Sequence, residues 1–154
     1  MKRVVRLLAT LGPVGYSPVA PATACSALVV FAGYFIPAPP LWITLLLLVV
    51  GAWLAVGICG AAERQLGHDA KPIVADEVVG QCLALLFVPR DPVAFLASFL
   101  LFRLFDIWKP LGAREAQRLP GGLGVVTDDV IAGLTACGVF HLGAWGARAT
   151  GLLR

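Results

Sequence analysis

Charge is missing from a long part of this chain. No Asp, Glu, Lys, Arg or His occurs between Arg6 and Glu63, and only 14% of the 154 residues are charged. Hydrophobic residues make up 59%, so a soluble globular class is excluded and lipid is the expected solvent. Because a membrane span needs about 20 residues, the length predicts one all-α membrane bundle of about five helices. No linker divides the chain, so residues 1–154 are expected to form a single domain.

Other absences exclude other classes of protein. The sequence has no C-x-x-C motif, and its cysteines are far apart in apolar runs, which predicts neither a zinc knuckle nor a disulfide framework. The basic residues do not interleave with aromatic residues, so we expect membrane lipids and no nucleic acid as partners. Nothing in the sequence specifies an oligomeric state. Pro and Gly interrupt residues 11–21, which is unlike a signal-peptide core, so the N-terminus is expected to be retained.

Breaks rich in Pro, Gly and charge delimit five apolar segments. The predicted helices are 23–36, 41–62, 74–88, 92–108 and 127–147. The second is the unambiguous span, because it is long and carries no charge. The first is short and is either a span or a re-entrant segment.

The third and fourth helices are predicted to carry charge into the membrane. Their uncharged cores, 78–88 and 93–102, are too short to cross about 30 Å of hydrocarbon at 1.5 Å per residue. To cross, they must draw in the acidic pair Asp76 and Glu77 at one helix and Arg103 with Asp106 at the other. Such groups cost roughly 2.5 to 3.5 kcal/mol each at membrane depth, so they indicate a functional site.

The distribution of Lys and Arg predicts the orientation. Five crossings with a cytoplasmic N-terminus put nine basic residues on the cytoplasmic side and three, Arg90, Arg148 and Arg154, on the other. The same layout gathers most of the acidic residues at the cytoplasmic helix ends. These are Asp69, Asp76, Glu77, Asp106, Asp128 and Asp129. The prediction is an acidic site on the cytoplasmic face of the membrane.

Each acidic motif also has a purely structural explanation. Asp76 and Glu77 open a helix, where the macrodipole favours negative charge by about 0.3 to 1 kcal/mol. Thr127 is a candidate N-cap that would place Asp128 and Asp129 in a first helical turn.

The basic motif allows two interpretations as well. Residues 102–110 put Arg103 and Asp106 on one helical face and Lys109 one turn from Asp106. This pattern is typical of a snorkelling interfacial helix end. Alternatively, the Arg fork and the Lys charge suit a phosphate group held beside a metal-binding Asp. Gly122 and Gly124, which precede Asp128 and Asp129, would allow close backbone approach to an anion.

The ligand chemistry predicts a hard divalent cation. Many carboxylates without a His or Cys cluster suit Mg²⁺, which takes one or two carboxylates while phosphate and water fill its other positions. The nucleophile motifs of three known phosphatase classes are absent: the sequence has no Asp-x-Asp-x-[Thr/Val], no Ser-Gly-His, and no Cys with an Arg at the required spacing.

Four blocks, in order along residues 11–140, resemble phosphatidylglycerophosphatase A, a family of magnesium-dependent bacterial membrane phosphatases. The blocks are Ser17-Pro18-Val19-Ala20-Pro21-Ala22-Thr23, Asp76-Glu77-Val78-Val79-Gly80, Phe102-Arg103-Leu104-Phe105-Asp106-Ile107-Trp108-Lys109-Pro110 and Gly121-Gly122-Leu123-Gly124-Val125-Val126-Thr127-Asp128-Asp129-Val130-Ile131-Ala132-Gly133. The first block departs from the family, which usually has glycines where this chain has Ala22 and Cys25. The resemblance implies hydrolysis of phosphatidylglycerophosphate to phosphatidylglycerol and phosphate.

The resemblance also implies roles for individual residues. Five carboxylates are the catalytic candidates: Asp76, Glu77, Asp106, Asp128 and Asp129. Asp76, Glu77, Asp128 and Asp129 are expected to hold Mg²⁺, and Arg103, Lys109, Gly122 and Gly124 to bind the substrate phosphate. One carboxylate then acts either as base toward water or as nucleophile. The alternatives are a metal-dependent phospholipid headgroup transferase and a non-enzymatic ion-binding or substrate-binding transporter.

Overall fold

The structure is a computed structural model that describes residues 2–67 and 70–151, and within these ranges it contains helices and no strand. His68 and Asp69, for which a loop position was expected, lie outside the described residues. The helices are α1 (Lys2–Ala9), α2 (Pro21–Phe35), α3 (Leu41–Leu66), α4 (Ala75–Ala84), α5 (Pro92–Trp108), α6 (Ala113–Ala116) and α7 (Gly122–Ala149), with a 3₁₀ turn at Val14–Tyr16. The predicted all-α class is confirmed.

Helix α7 is the centre of the bundle and packs against α3, α4, α5 and α6. Helix α2 closes the opposite side by packing on α4 and α5, and α1 packs on α3. Helix α5 runs antiparallel to α4, so that the hydroxyl of Ser98 donates a hydrogen bond to the carbonyl of Ala84 at 2.8 Å. The order of the helices therefore brings the start of α4, the end of α5 and the start of α7 to one end of the bundle.

Two helices, α3 and α7, are long and apolar enough to cross a membrane. Large apolar side chains along α3 are exposed, including Leu46 at 54%, Trp53 at 69% and Leu54 at 59%. Exposed apolar patches of this extent are rare on soluble monomers. Covering this face of α3, by lipid or by another protein, would contribute about 25 cal/mol per Å² of apolar surface removed from water.

The sequence analysis misplaced the end of α4 and the start of α7. Helix α4 ends at Ala84 instead of residue 88, because Pro89 disfavours helical backbone before it and Phe87 adopts a left-handed φ of 60°. At 10 residues α4 is about 15 Å long, so the helix by itself is shorter than the hydrocarbon core of a bilayer. Helix α7 begins at Gly122, so Thr127 lies inside it and is not an N-cap.

The bounds of α5 agree with the predicted segment. Asp91 is its N-cap, and its Oδ1 accepts hydrogen bonds from the backbone N–H groups of Val93 and Ala94 at 2.9 Å. Pro92 follows at the first helical position, where its missing N–H has no helical partner to lose. Lys109 ends the helix in a left-handed conformation immediately before Pro110.

Two glycines allow α4 and α7 to touch backbone to backbone. A Cβ at Gly80 would lie 2.6 Å from Cε2 of Phe102 and 2.8 Å from the carbonyl oxygen of Asp129. A Cβ at Gly133 would overlap the carbonyl of Gly80. This contact lies one turn from Glu77 and fixes the distance between the acidic residues of the two helices.

Candidate active site

Three helix ends bring five buried carboxylates together. Asp76 and Glu77 occupy the first turn of α4, Asp106 the last turn of α5, and the Asp128–Asp129 pair the second turn of α7. The exposed fractions are 8% for Asp76, 5% for Glu77, 9% for Asp106, 4% for Asp128 and 3% for Asp129. The sequence had named all five residues as catalytic candidates, and the structure places them at one end of the bundle.

Glu77, Asp106 and Asp129 form the tightest group within the cluster. Each offers a carboxylate oxygen, and these three oxygens lie within 4.8 Å of one another. The residues come from three different helices, so the group depends on tertiary packing and not on one acidic stretch. Oxygen donors at this spacing match the coordination of a hard divalent ion.

Arg103 stands between two members of this group. Its Nη1 lies 2.6 Å from Oε2 of Glu77 and 3.1 Å from Oδ2 of Asp106. Only 12% of its side chain is exposed, which is inconsistent with a snorkelling interfacial residue. Its guanidinium also lies 5.8 Å from the ring centroid of Phe102. Arg103 is therefore a fixed, buried cation at the carboxylate group.

Lys109 forms the second ion pair of the site. Its Nζ lies 2.5 Å from Oδ2 of Asp128, and Oδ1 of that residue accepts a hydrogen bond from the N–H of Asp129 at 3.1 Å. Burial alone would lower the pKa of Lys109, but the hydrogen bond and charge of Asp128 outweigh it and raise this pKa. Lys109 therefore carries a positive charge in the site.

The site has more negative than positive charge. Five carboxylates face two cations, Arg103 and Lys109, an excess of three negative charges if all are ionised. Moreover, Oδ1 of Asp76 and Oδ2 of Asp129 are buried without a hydrogen-bond partner among the described residues. An uncompensated buried charge costs several kcal/mol, so the arrangement fits one or more bound cations.

The capping explanation does not account for these acidic residues. Asp128 and Asp129 lie beyond the first turn of α7, whose N-cap is Gly121. Asp76 and Glu77 do lie in the first turn of α4, as the macrodipole explanation requires, but that effect of about 0.3 to 1 kcal/mol does not explain why both are buried. Their burial in contact with other helices therefore needs a further explanation.

The glycines expected to hold phosphate have packing roles in the structure. A Cβ at Gly122 would overlap the carbonyl of Val56 on α3, and a Cβ at Gly124 would lie 2.6 Å from the carbonyl oxygen of Leu119. The predicted glycine-rich loop is largely the first turn of α7. Phosphate binding by Gly122 and Gly124 stays a prediction that this packing does not favour.

The sequence analysis did not identify two polar residues at the site, Ser26 and Gln81. Oγ of Ser26, on α2, lies 3.1 Å from Oε2 of Glu77. Gln81 is fully buried, and neither its Nε2 nor its Oε1 has a partner in the described part of the chain. Gln81 lies one turn after Glu77 on α4, and this i, i+4 spacing is the signal that could have found it.

Cys25, where the resembling family usually has glycine, is accommodated beside the site. It is fully buried on α2 and its Sγ donates to the carbonyl of Val74 at 3.2 Å. The larger side chain thus ties α2 to the residue that precedes α4.

Comparison with known proteins agrees with this geometry. The family model described as Phosphatidylglycerophosphatase A matches residues 7–144. The chain belongs to the phosphatidylglycerophosphatase A family. It is thus a phosphatase, and both its family and its two long apolar helices indicate association with a membrane.

Similar curated proteins carry two different names. A protein of Bacteroides thetaiotaomicron named "Putative phosphatidylinositol-3-phosphatase" is 36% identical over 139 residues, covering 85% of this chain and 87% of its own length. Phosphatidylglycerophosphatase A of Escherichia coli K12 is 31% identical over 130 residues, covering 82% of this chain and 76% of its own. The phosphatidylglycerophosphatase A of Haemophilus influenzae is 38% identical over 96 residues, 60% of this chain and 56% of its own. No solved structure matches the chain.

Proposed function

We propose that this protein hydrolyses the terminal phosphate monoester of phosphatidylglycerophosphate, releasing phosphatidylglycerol and phosphate, with Mg²⁺ as cofactor. The observation that carries the proposal is the group of Glu77, Asp106 and Asp129, which lies beside the buried cation Arg103. The family description and two of the similar proteins name this activity. A transferase or a transporter has no comparable support.

Mg²⁺ is the cofactor that the donor set favours. The ion would be held by Glu77, Asp106 and Asp129. The carboxylate of Asp76 lies close enough to those of Glu77 and Asp129 for their charges to repel. This set adds Asp106 to the predicted ligands, while Asp128 is engaged by Lys109. When bound, the ion neutralises phosphate charge and polarises the phosphorus–oxygen bonds.

The basic side chains of the site bind the phosphate in this proposal. Arg103, which contacts Glu77, offers a planar fork of N–H donors. Lys109, which contacts Asp128, offers a compact positive charge. Both are already held in place by carboxylates, so little side-chain entropy is lost when the substrate arrives. Their positive charge stabilises the negative charge that the reaction develops on the phosphate oxygens.

One carboxylate takes part directly in the hydrolysis. Asp76 and Asp129 are the candidates, because each has a buried oxygen that lacks a hydrogen-bond partner among the described residues. Such an oxygen either accepts a proton from the water that attacks phosphorus, or attacks phosphorus itself to form an aspartyl phosphate that water then hydrolyses. In both routes the phosphorus–oxygen bond to the lipid breaks and phosphatidylglycerol leaves as the alcohol. Rapid quench with ³²P-labelled substrate separates the two, since only the second route labels the protein.

We further propose that the protein is a multi-pass protein of the bacterial inner membrane, with its N-terminus and site on the cytoplasmic face. The site end of the bundle carries the basic residues of α1 together with Arg64, Lys71, Arg114 and Arg118. The opposite end has far fewer basic residues, and cytoplasmic loops are the ones enriched in Lys and Arg. The test is a reporter enzyme that is active only outside the cytoplasm, fused to the C-terminus. The proposed orientation predicts that this fusion is active, and an inactive fusion would contradict it.

Phosphate release from defined lipids tests the proposed activity. Purified protein in detergent is given phosphatidylglycerophosphate or phosphatidylinositol 3-phosphate, with Mg²⁺ or with EDTA. We expect Mg²⁺-dependent release from phosphatidylglycerophosphate, and loss of about 10²-fold or more in Asp129→Asn, the size expected when a catalytic base is removed. Release only from the inositol lipid would refute the substrate, and full activity in EDTA or in Asp129→Asn would refute the site.

A further inference from the structure

An apolar cleft separates helices α2 and α5 on the outside of the bundle. Its volume is about 420 Å³, within the range of small-molecule binding sites. Apolar and aromatic side chains line both walls. They include Val30, Phe31 and Tyr34 on α2, and Phe95, Leu96 and Phe99 on α5. The rings of Tyr34 and Phe95 meet edge to face at 5.6 Å, so the two walls are in contact near the end remote from the carboxylates.

The near end of the cleft leads to the active site along both walls. On α2, the lining begins at Ala27, the residue after Ser26, whose hydroxyl contacts Glu77. On α5, Phe99 precedes Arg103 by one helical turn and therefore shares its face. A ligand with its charged end at Arg103 can thus place an apolar tail between the two helices.

The dimensions of the cleft suit a hydrocarbon chain. From Ala27 to Tyr34 the wall of α2 extends for about 10 Å, at 1.5 Å per residue. Phe31 is 65% exposed and Leu96 is 55% exposed, so the cleft is open along its side and a chain can enter from the lipid. None of the described residues that line the cleft is charged.

We propose that this cleft binds one acyl chain of the lipid substrate and so aligns the phosphorylated headgroup with the carboxylate group. The proposal rests on the proposed function, because it assigns the tail of the substrate whose phosphate that function assigns. Each methylene taken from water into an apolar site contributes about 0.8 kcal/mol, but lipid already surrounds the tail. The cleft therefore acts mainly by positioning, through the ordering of the substrate before reaction.

Substitution at the near end of the cleft tests the proposal. Ala27→Trp puts an indole into the entrance, on an exposed position where the larger side chain is tolerated. The matched control is Leu28→Trp, because Leu28 is the next residue of α2, is 45% exposed and does not line the cleft. Both variants receive long-chain phosphatidylglycerophosphate and its deacylated headgroup, in the same detergent.

We expect Ala27→Trp to raise KM for the long-chain lipid at least about tenfold, equivalent to about 1.4 kcal/mol. Leu28→Trp should behave as the unchanged protein. An equal loss on the lipid and the deacylated headgroup would overturn the proposal, as would an equal effect of the two variants. If the unchanged protein releases no phosphate from phosphatidylglycerophosphate, the proposed function itself fails.

Photo-crosslinking gives a readout that does not depend on turnover. The probe is a phosphonate analogue of the substrate with a diazirine midway along one acyl chain. Crosslinks are expected on Val30, Phe31 and Phe99, to be displaced by unlabelled analogue, and to disappear in Ala27→Trp. Crosslinks spread evenly over the exposed faces of α3 and α7 would show that the cleft holds only bulk lipid, and would overturn the proposal.

Discussion

Replacement of Arg103 by Met tests the charge balance of the site through stability. In the unchanged protein, Arg103 lies 2.6 Å from Glu77 and 3.1 Å from Asp106, with only 12% of its side chain exposed. Without it, three carboxylate oxygens within 4.8 Å of one another lose their nearest cation. Removing one partner of a buried ion pair costs about 3 to 5 kcal/mol. At 154 residues, this predicts a fall in melting temperature of roughly 6 to 20 °C in EDTA.

Mg²⁺ should reverse part of this loss, because a cation bound only to the folded state stabilises it. At a concentration 100 times its dissociation constant, the gain is about 2.7 kcal/mol. The assay is thermal unfolding in detergent with EDTA or with Mg²⁺, for Arg103→Met and for the exposed-site control Arg114→Met, which should change by less than about 0.5 kcal/mol. A melting temperature of Arg103→Met in EDTA equal to that of the unchanged protein would refute the reasoning, as would a loss that Mg²⁺ leaves untouched.

Three further substitutions test the packing and the local structure. Gly80→Ala should lower the free energy of unfolding by about 1 to 3 kcal/mol and reduce phosphate release, because its Cβ would clash with α5 and α7. The control Gly57→Ala should stabilise the protein, because a Cβ there meets nothing within 4 Å. Equal effects of the two substitutions would contradict the close contact at Gly80. Gln81→Met should raise the melting temperature, because a buried amide without a hydrogen-bond partner costs about 1 to 3 kcal/mol. A lower melting temperature would show that the amide of Gln81 has a partner. Asp91→Ala should cost about 1 kcal/mol in thermal unfolding through loss of the α5 cap, with phosphate release at 25 °C unchanged; no shift in melting temperature would refute the capping role.

Helix α5 shows what could be predicted from the sequence. Its bounds were predicted because Asp91 and Pro92 are local start signals and Pro110 is a local stop signal. The five site carboxylates were predicted for a related reason, since buried charge in an apolar chain is costly and stands out. Local chemistry was sufficient to find α5 and to name the carboxylates that the structure gathers at one end of the bundle; their catalytic role stays a prediction.

Other features depend on packing that is invisible in a single sequence. The start of α7 was misplaced because Gly122, which looks like a loop residue, is needed for its contact with α3. Helix α4 is shorter than predicted because Phe87 turns the chain after ten helical residues. The pairing of Arg103 with Glu77 and the position of Ser26 at the site depend on how α2, α4 and α5 meet.

The location of a bound divalent cation tests the central claim most directly. Crystals of the unchanged protein grown with Mn²⁺, a substitute for Mg²⁺ with an anomalous signal, give that position without any assay of turnover. The account predicts an anomalous peak among the carboxylate oxygens of Glu77, Asp106 and Asp129, and its loss in Asp129→Asn. No peak there at Mn²⁺ concentrations that support phosphate release, or a peak held by other residues, would contradict the account.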